Sequence, residues 1–223
     1  MNESQREDEL LTREEQRAAT YQLLAACYRE PDQELVDLLE ASDDEDHEIA
    51  VDELTAALPS DRERLRVDHA KLFVGPFELH APPYESVYVD DRNRTMTEST
   101  VDVASEYRAE GLEVDLDQPA DHVCAELEFT YVLVVAGLEA LAAGDDDVAA
   151  EYVERQYDFL AGHLGRWVSE FAANIREHAE TRFYRLLADE TQSFVETDGK
   201  RLADRLDADT TGRTEALRRT EPE

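Results

Sequence analysis

Asp121, His122, Glu126 and Glu128 form the densest set of side chains able to ligate a metal or move a proton. His122 and Glu126 are four residues apart, the spacing that shares one face of a helix. Water activation there would require a metal with two further ligands, for which His69 and His163 are the candidates, and the sequence contains no HExxH and no second His-rich helix. This metal-dependent hydrolase reading competes with a structural one, in which Asp121 caps a helix and meets its dipole while His122 hydrogen-bonds into a neighbouring loop. Gly75 and Gly111 are isolated, so no phosphate-cradling loop exists. Ser86 lacks a nucleophile elbow, and neither Cys27 nor Cys124 stands beside a histidine. No cofactor is expected.

The aromatic residues suggest binding rather than reaction. Tyr21, Tyr28, Phe73, Phe77, Tyr84, Tyr88, Phe129 and Trp167 fall near expected helix ends or in a long loop, where aromatics with polar rims form grooves for a docking peptide. Most of them belong to the core, because an aromatic stripe at helical spacing is first of all packing.

Positioning these residues is the task of helices. Tyr21, Leu24 and Tyr28 share a face of a helix over about residues 13–28, and Pro31 suits the first turn of a second helix carrying Leu35, Val36 and Leu39. Residues 49–58 form a short helix stopped by Pro59. Ser60 with Glu63 is a capping box for a helix whose Leu65, His69, Leu72 and Phe73 make a buried stripe ending at Gly75 and Pro76. A long ordered loop follows over 77–94, with a brief extended piece at 84–89. Further helices are expected over 99–110, over 121–143 with Asp121 as its cap, over 145–163, after a break at Gly165, and over 181–197. No alternating run could build a sheet. The expectation is an all-α, single-domain bundle of about seven to nine helices. Residues 1–12 read as a flexible N-terminus, 13–198 as the helical domain and 199–223 as a charged, disordered tail.

Acids outnumber bases 55 to 22, a formal charge of −33, and only Lys71 and Lys200 are lysines. Such a surface repels nucleic acid and anionic lipid. Because the acids are spread along the chain, adaptation to a salt-rich cytoplasm is favoured over a dedicated acidic groove for a cationic ligand. The charged N-terminus is no secretory signal, and no apolar run reaches the ~18 residues of a membrane span. A soluble cytoplasmic protein is expected, with Cys27 and Cys124 as buried free thiols, although a disulfide stays open.

Four blocks, LFVGP (Leu72–Pro76), PPYESVY (Pro82–Tyr88), PADHVCAELEF (Pro119–Phe129) and FLAGHLGRW (Phe159–Trp167), occur in the order and spacing of a known family. Over about residues 20–195 the chain resembles the TorD/DmsD family of molybdoenzyme assembly chaperones, in a haloarchaeal form. That resemblance implies an all-helical cytoplasmic chaperone, not an enzyme, that binds the twin-arginine signal peptide and apo form of a molybdopterin oxidoreductase subunit. Export would wait until the subunit has received its cofactor. The family's Pro-x-Asp-His element falls on Pro119, Asp121 and His122, and its hinge-like loop on Gly75 through Tyr88. Leu72, Phe73, Gly75, Pro76, Pro83, Tyr84, Ser86, Asp121 and His122 are therefore the residues expected to touch the peptide or shape its groove. Glu126 joins Asp121 as a carboxylate for the peptide's guanidinium groups. A monomer or homodimer is expected, and a purely structural helical adaptor with no groove is a third possibility.

Overall fold

The computed structural model describes residues 3–75, 79–90, 98–114 and 118–220. Its centre is α7 (Val123–Ala142), whose first turns are buried on every side. A helix that is apolar all round has no solvent face and belongs inside. Around it pack α1 (Glu3–Cys27), α8 (Asp146–Gly162) and α9 (Leu164–His178), and α10 (Arg182–Thr220) closes the bundle against α8 and α9. The main core joins Tyr21, Leu24, Leu127, Trp167, Phe171 and Tyr184. A smaller one, Tyr107, Phe129 and Phe159 among its members, lies under α6 (Glu98–Ala109). Each such side chain contributes about 1.5–3 kcal/mol by leaving water. Ten α-helices and no strand occur among the described residues, which is the all-α architecture expected. None of these helices is long and apolar enough to cross a membrane.

The short helices are placed by side chains that cap them, and here several expectations are corrected. Asp32, not Pro31, starts α2 (Gln33–Ala41), because its carboxylate accepts the Leu35 N–H. Asp61 rather than Ser60 caps α4 (Arg62–His69), accepting from the Glu63 N–H. The break before α9 falls at His163 rather than Gly165. Gly165 instead allows a close approach, since a Cβ there would meet the Leu160 carbonyl oxygen at 2.6 Å. The last helix runs on past Thr197 and Gly199, because Leu202 is buried and Arg201 pairs with Glu48. Both cysteines are free and buried.

A buried ionic cluster fastens the ends of the chain together. Arg17 on α1, fully buried, donates to both Asp198 carboxylate oxygens on α10 at 2.7 and 2.8 Å and to Gln156 on α8 at 3.0 Å. Glu14 completes the pairing of the guanidinium. Tyr21 donates its hydroxyl to Asp198 at 2.8 Å.

Candidate functional site

Two turns distant in sequence are stitched together edge to edge. After α4 the helix widens into a π-turn (Ala70–Val74) and stops at Gly75, whose φ of 88° lies in the left-handed region that suits glycine. The chain returns when the Ala81 N–H donates to the Leu72 carbonyl at 3.0 Å. Tyr84 then pairs with His122 in an antiparallel bridge. Flanking it, Val123 N–H donates to Pro83 O at 2.9 Å and Glu85 N–H to Asp121 O at 3.0 Å. Residues expected to be extended beyond Tyr84 form instead a short helix, α5 (Glu85–Val89).

Asp121 secures this junction, although it does not cap α7. Its carboxylate accepts from Ser86 N–H at 3.1 Å and Thr100 Oγ at 2.9 Å, joining α5 and α6 to the turn before α7. The cap is His122, whose Nδ1 accepts from Cys124 N–H at 3.1 Å. Burial, opposed by nearby Asp121, lowers the His122 pKa to about 4. The imidazole is therefore neutral near pH 7, as an accepting Nδ1 requires.

Above the junction opens a cleft of about 610 Å³. Tyr28, His69, Phe73, Val74, Leu79, Tyr84, Gln118, His122 and Cys124 line it. Arg29 and Glu30 stand exposed at the rim. Phe73 packs edge-on against Tyr28 and His69, with ring centroids 5.9 and 5.2 Å away. Tyr84 sets its ring edge-on to His122 at 5.2 Å and donates its hydroxyl to Gln118 at 2.8 Å. His69 reaches the Tyr28 carbonyl at 3.3 Å, and burial lowers its pKa. Val74 is 64% exposed, a large aliphatic side chain left open to water at the cleft. Such an arrangement can hold an apolar segment and offer hydrogen bonds at its edges.

Of the residues expected at the site, Phe73, Tyr84 and His122 line the cleft together. Leu72 is buried, Gly75 makes the bend, and Pro83 and Ser86 contribute backbone atoms to the junction. Pro76 lies outside the described residues. Asp121 and Glu126, at 1% and 0% exposure, face inward, and Glu126 accepts from Trp167 Nε1 at 3.0 Å. The carboxylate that the cleft presents is Glu30, which the sequence did not single out. Its signal was only its place just past the end of α1.

The metal-site alternative does not assemble. His122 spends Nδ1 on its own helix cap, Glu126 is bonded to Trp167, and His163 Nδ1 meets Glu85 at 2.9 Å. Among the described residues no group of three or more His, Cys, Asp or Glu could hold an ion.

Comparison with known proteins gives a consistent set of relatives. Residues 40–173, more than half of the chain, match the family model described as nitrate reductase delta subunit. The chaperone protein TorD of Vibrio parahaemolyticus is 27% identical over 157 residues, covering 67% of this chain and 72% of that protein. The Tat proofreading chaperone DmsD of Salmonella typhimurium is 31% identical over 119 residues, 52% of each chain. A perchlorate reductase assembly chaperone protein of Dechloromonas aromatica is 30% identical over 136 residues, 58% of this chain and 59% of that one. A crystal structure from Archaeoglobus fulgidus, described as a redox enzyme maturation protein, shares the fold. It superposes with a TM-score of 0.53 at 22% identity, covering 81% of this chain and 93% of that one.

Proposed function

The chain belongs to the nitrate reductase delta subunit family, with the TorD and DmsD chaperones among its relatives, and we propose that it is a maturation chaperone of the same kind. It binds the twin-arginine signal peptide and unfinished body of a molybdopterin oxidoreductase subunit in the cytoplasm. Export is delayed until the subunit has its cofactor, which belongs to the client and not to this chain. The protein performs no catalysis of its own, in keeping with relatives named for chaperoning and assembly.

One observation carries this reading: the cleft joins an aromatic and aliphatic lining to a single rim carboxylate. A twin-arginine leader brings the matching parts, an apolar stretch and a guanidinium pair. The apolar stretch displaces water from Phe73, Val74, Leu79 and Tyr84, which supplies most of the affinity. Glu30 pairs with an arginine. Near 1 M salt the Debye length is about 3 Å, so that pair acts only at contact and apolar burial dominates. The imidazole of His122 is neutral and adds no positive charge to the cleft, and the Arg29 guanidinium at its rim is paired with Glu128.

Co-expression with a twin-arginine precursor tests the proposal. The wild-type chain should retain the precursor in complex, Glu30→Lys should weaken retention chiefly in low-salt buffer, and Glu139→Lys at the far end of α7 should have no effect. Equal retention by all three folded proteins would place the peptide elsewhere.

A further inference from the structure

Behind the cleft, where α5, α7 and α9 meet, two carboxyl groups are buried together. Glu126 of α7 and Glu85 of α5 are each 0% exposed. Glu126 Oε2 accepts from Trp167 Nε1, while Glu85 Oε2 lies 2.9 Å from His163 Nδ1 and its Oε1 lies 3.5 Å from Arg166. The remaining oxygen, Oε1, of each carboxyl has no hydrogen bond, and the two side chains lie within hydrogen-bonding reach of each other.

Two ionised carboxylates in contact and out of water repel strongly. A single proton between them converts that repulsion into a short O–H···O bond to an ionised acceptor and gives both orphaned oxygens a partner. The surroundings decide which group carries it. Glu85 faces the Arg166 guanidinium and a ring nitrogen of His163. Among the described residues, Glu126 faces the neutral indole of Trp167, the carboxylates of Glu85 and Asp121, and the nearby Tyr107 of α6.

We infer that Glu126 is a carboxylic acid in the folded protein, donating its proton to Glu85, and that this one shared proton is the latch positioning α5. Tyr84 is the residue immediately preceding α5, so the latch also sets the wall of the cleft. That last link rests on the chaperone reading, whereas the proton itself does not. Burial and the neighbouring Glu85 charge both push the Glu126 carboxyl well above its ordinary range. When the proton leaves at alkaline pH, attraction between α5 and α7 becomes repulsion, against which α5 keeps the Glu85 bond to His163, the Asp121 bond to Ser86, the Tyr88 contacts with Asn174 and Trp167, and the backbone pairing around Tyr84.

Infrared spectroscopy of the intact chain tests this without any peptide. The wild-type protein at neutral pH should show the carbonyl stretch of a protonated carboxylic acid, titrating away as pH rises and absent from Glu126→Gln. Glu85→Gln should keep the band but lose it at lower pH than the wild type, because the neighbouring charge is gone while burial remains, and an unchanged titration there would overturn the shared proton; this covers the case in which Glu126→Gln does not fold. Hydrogen exchange at α5 amides should speed up with pH beyond its intrinsic base catalysis in the wild type, and follow intrinsic catalysis alone in Glu126→Gln. Absence of the band from the wild type, or its persistence in Glu126→Gln, would overturn the assignment. A present band in a protein that captures no precursor would leave the latch standing and remove the chaperone reading.

Discussion

At the scale of single residues, burial sets protonation, and two neighbours on the junction respond to pH with opposite sign. The folded His122 titrates near 4 and an unfolded histidine near 6.5, so the native state binds fewer protons between those values. Stability on its account falls as pH drops from about 6.5 to about 4. Glu126 is the reverse: its folded pKa is raised, so the native state binds more protons, and stability falls as pH rises from about 4.5 through the folded value. The slope of that loss is at most about 1.4 kcal/mol per pH unit. Thermal melts of Glu126→Gln against wild type should therefore show a shallower decline toward alkaline pH, the buried thiols of Cys27 and Cys124 still contributing to it, and keep the acid limb due to His122; parallel profiles would contradict this. The sequence showed these two residues as a pair but misjudged their geometry. Four-residue spacing aligns side chains only where both residues are helical, and His122 as a cap has extended backbone, with φ −74° and ψ 142°. Asp121 and Glu126 were expected to meet arginine, yet their partners, Ser86, Thr100 and Trp167, come from other elements and leave no mark in local sequence.

At the scale of elements, the long apolar helices were legible because their periodicity is a local property. Thus α7, α8 and α9 lie close to where their apolar patterns place them. The elements fixed by distant contacts were not. α5 looked like an extended stretch because its residues alternate, but Glu85 turns inward to His163 and Asp121 holds the Ser86 N–H. The π-turn closes with a shifted bond, Gly75 N–H to Ala70 O at 2.9 Å, which no composition signals. Likewise the Arg17–Asp198 pair spans 181 residues, and nothing near Arg17 distinguishes it from the exposed arginines around it. That pair ties α1 to α10, so Arg17→Met should lower unfolding free energy by about 3 kcal/mol, the cost of leaving the buried Asp198 carboxylate with only Tyr21 and the more distant Arg201 as partners. Denaturant titration measures it, and a loss below about 1 kcal/mol would mean that water reaches the cluster.

At the scale of the whole molecule, charge and architecture separate cleanly. The absence of alternating runs pointed to an all-helical bundle, and the described residues form one. The charge of −33 says nothing about that fold, but it does bear on the conditions in which the fold persists. We propose that the surface is adapted to high salt. Self-repulsion spreads over a Debye length of about 10 Å at 0.1 M and shrinks to about 3 Å at 1 M, so the melting temperature should climb as potassium chloride is raised into the molar range. A flat or falling curve would remove the salt-adaptation reading. The most direct measurement is a fluorescence titration of a labelled twin-arginine signal peptide, in molar potassium chloride, with the wild-type chain and with Tyr84→Ala. Saturable one-to-one binding to the wild type is expected, weakened about tenfold or more, at least 1.4 kcal/mol, when the Tyr84 ring is removed. No saturable binding, or equal affinity in two folded proteins, would contradict a leader-binding cleft between the glycine bend and the histidine corner.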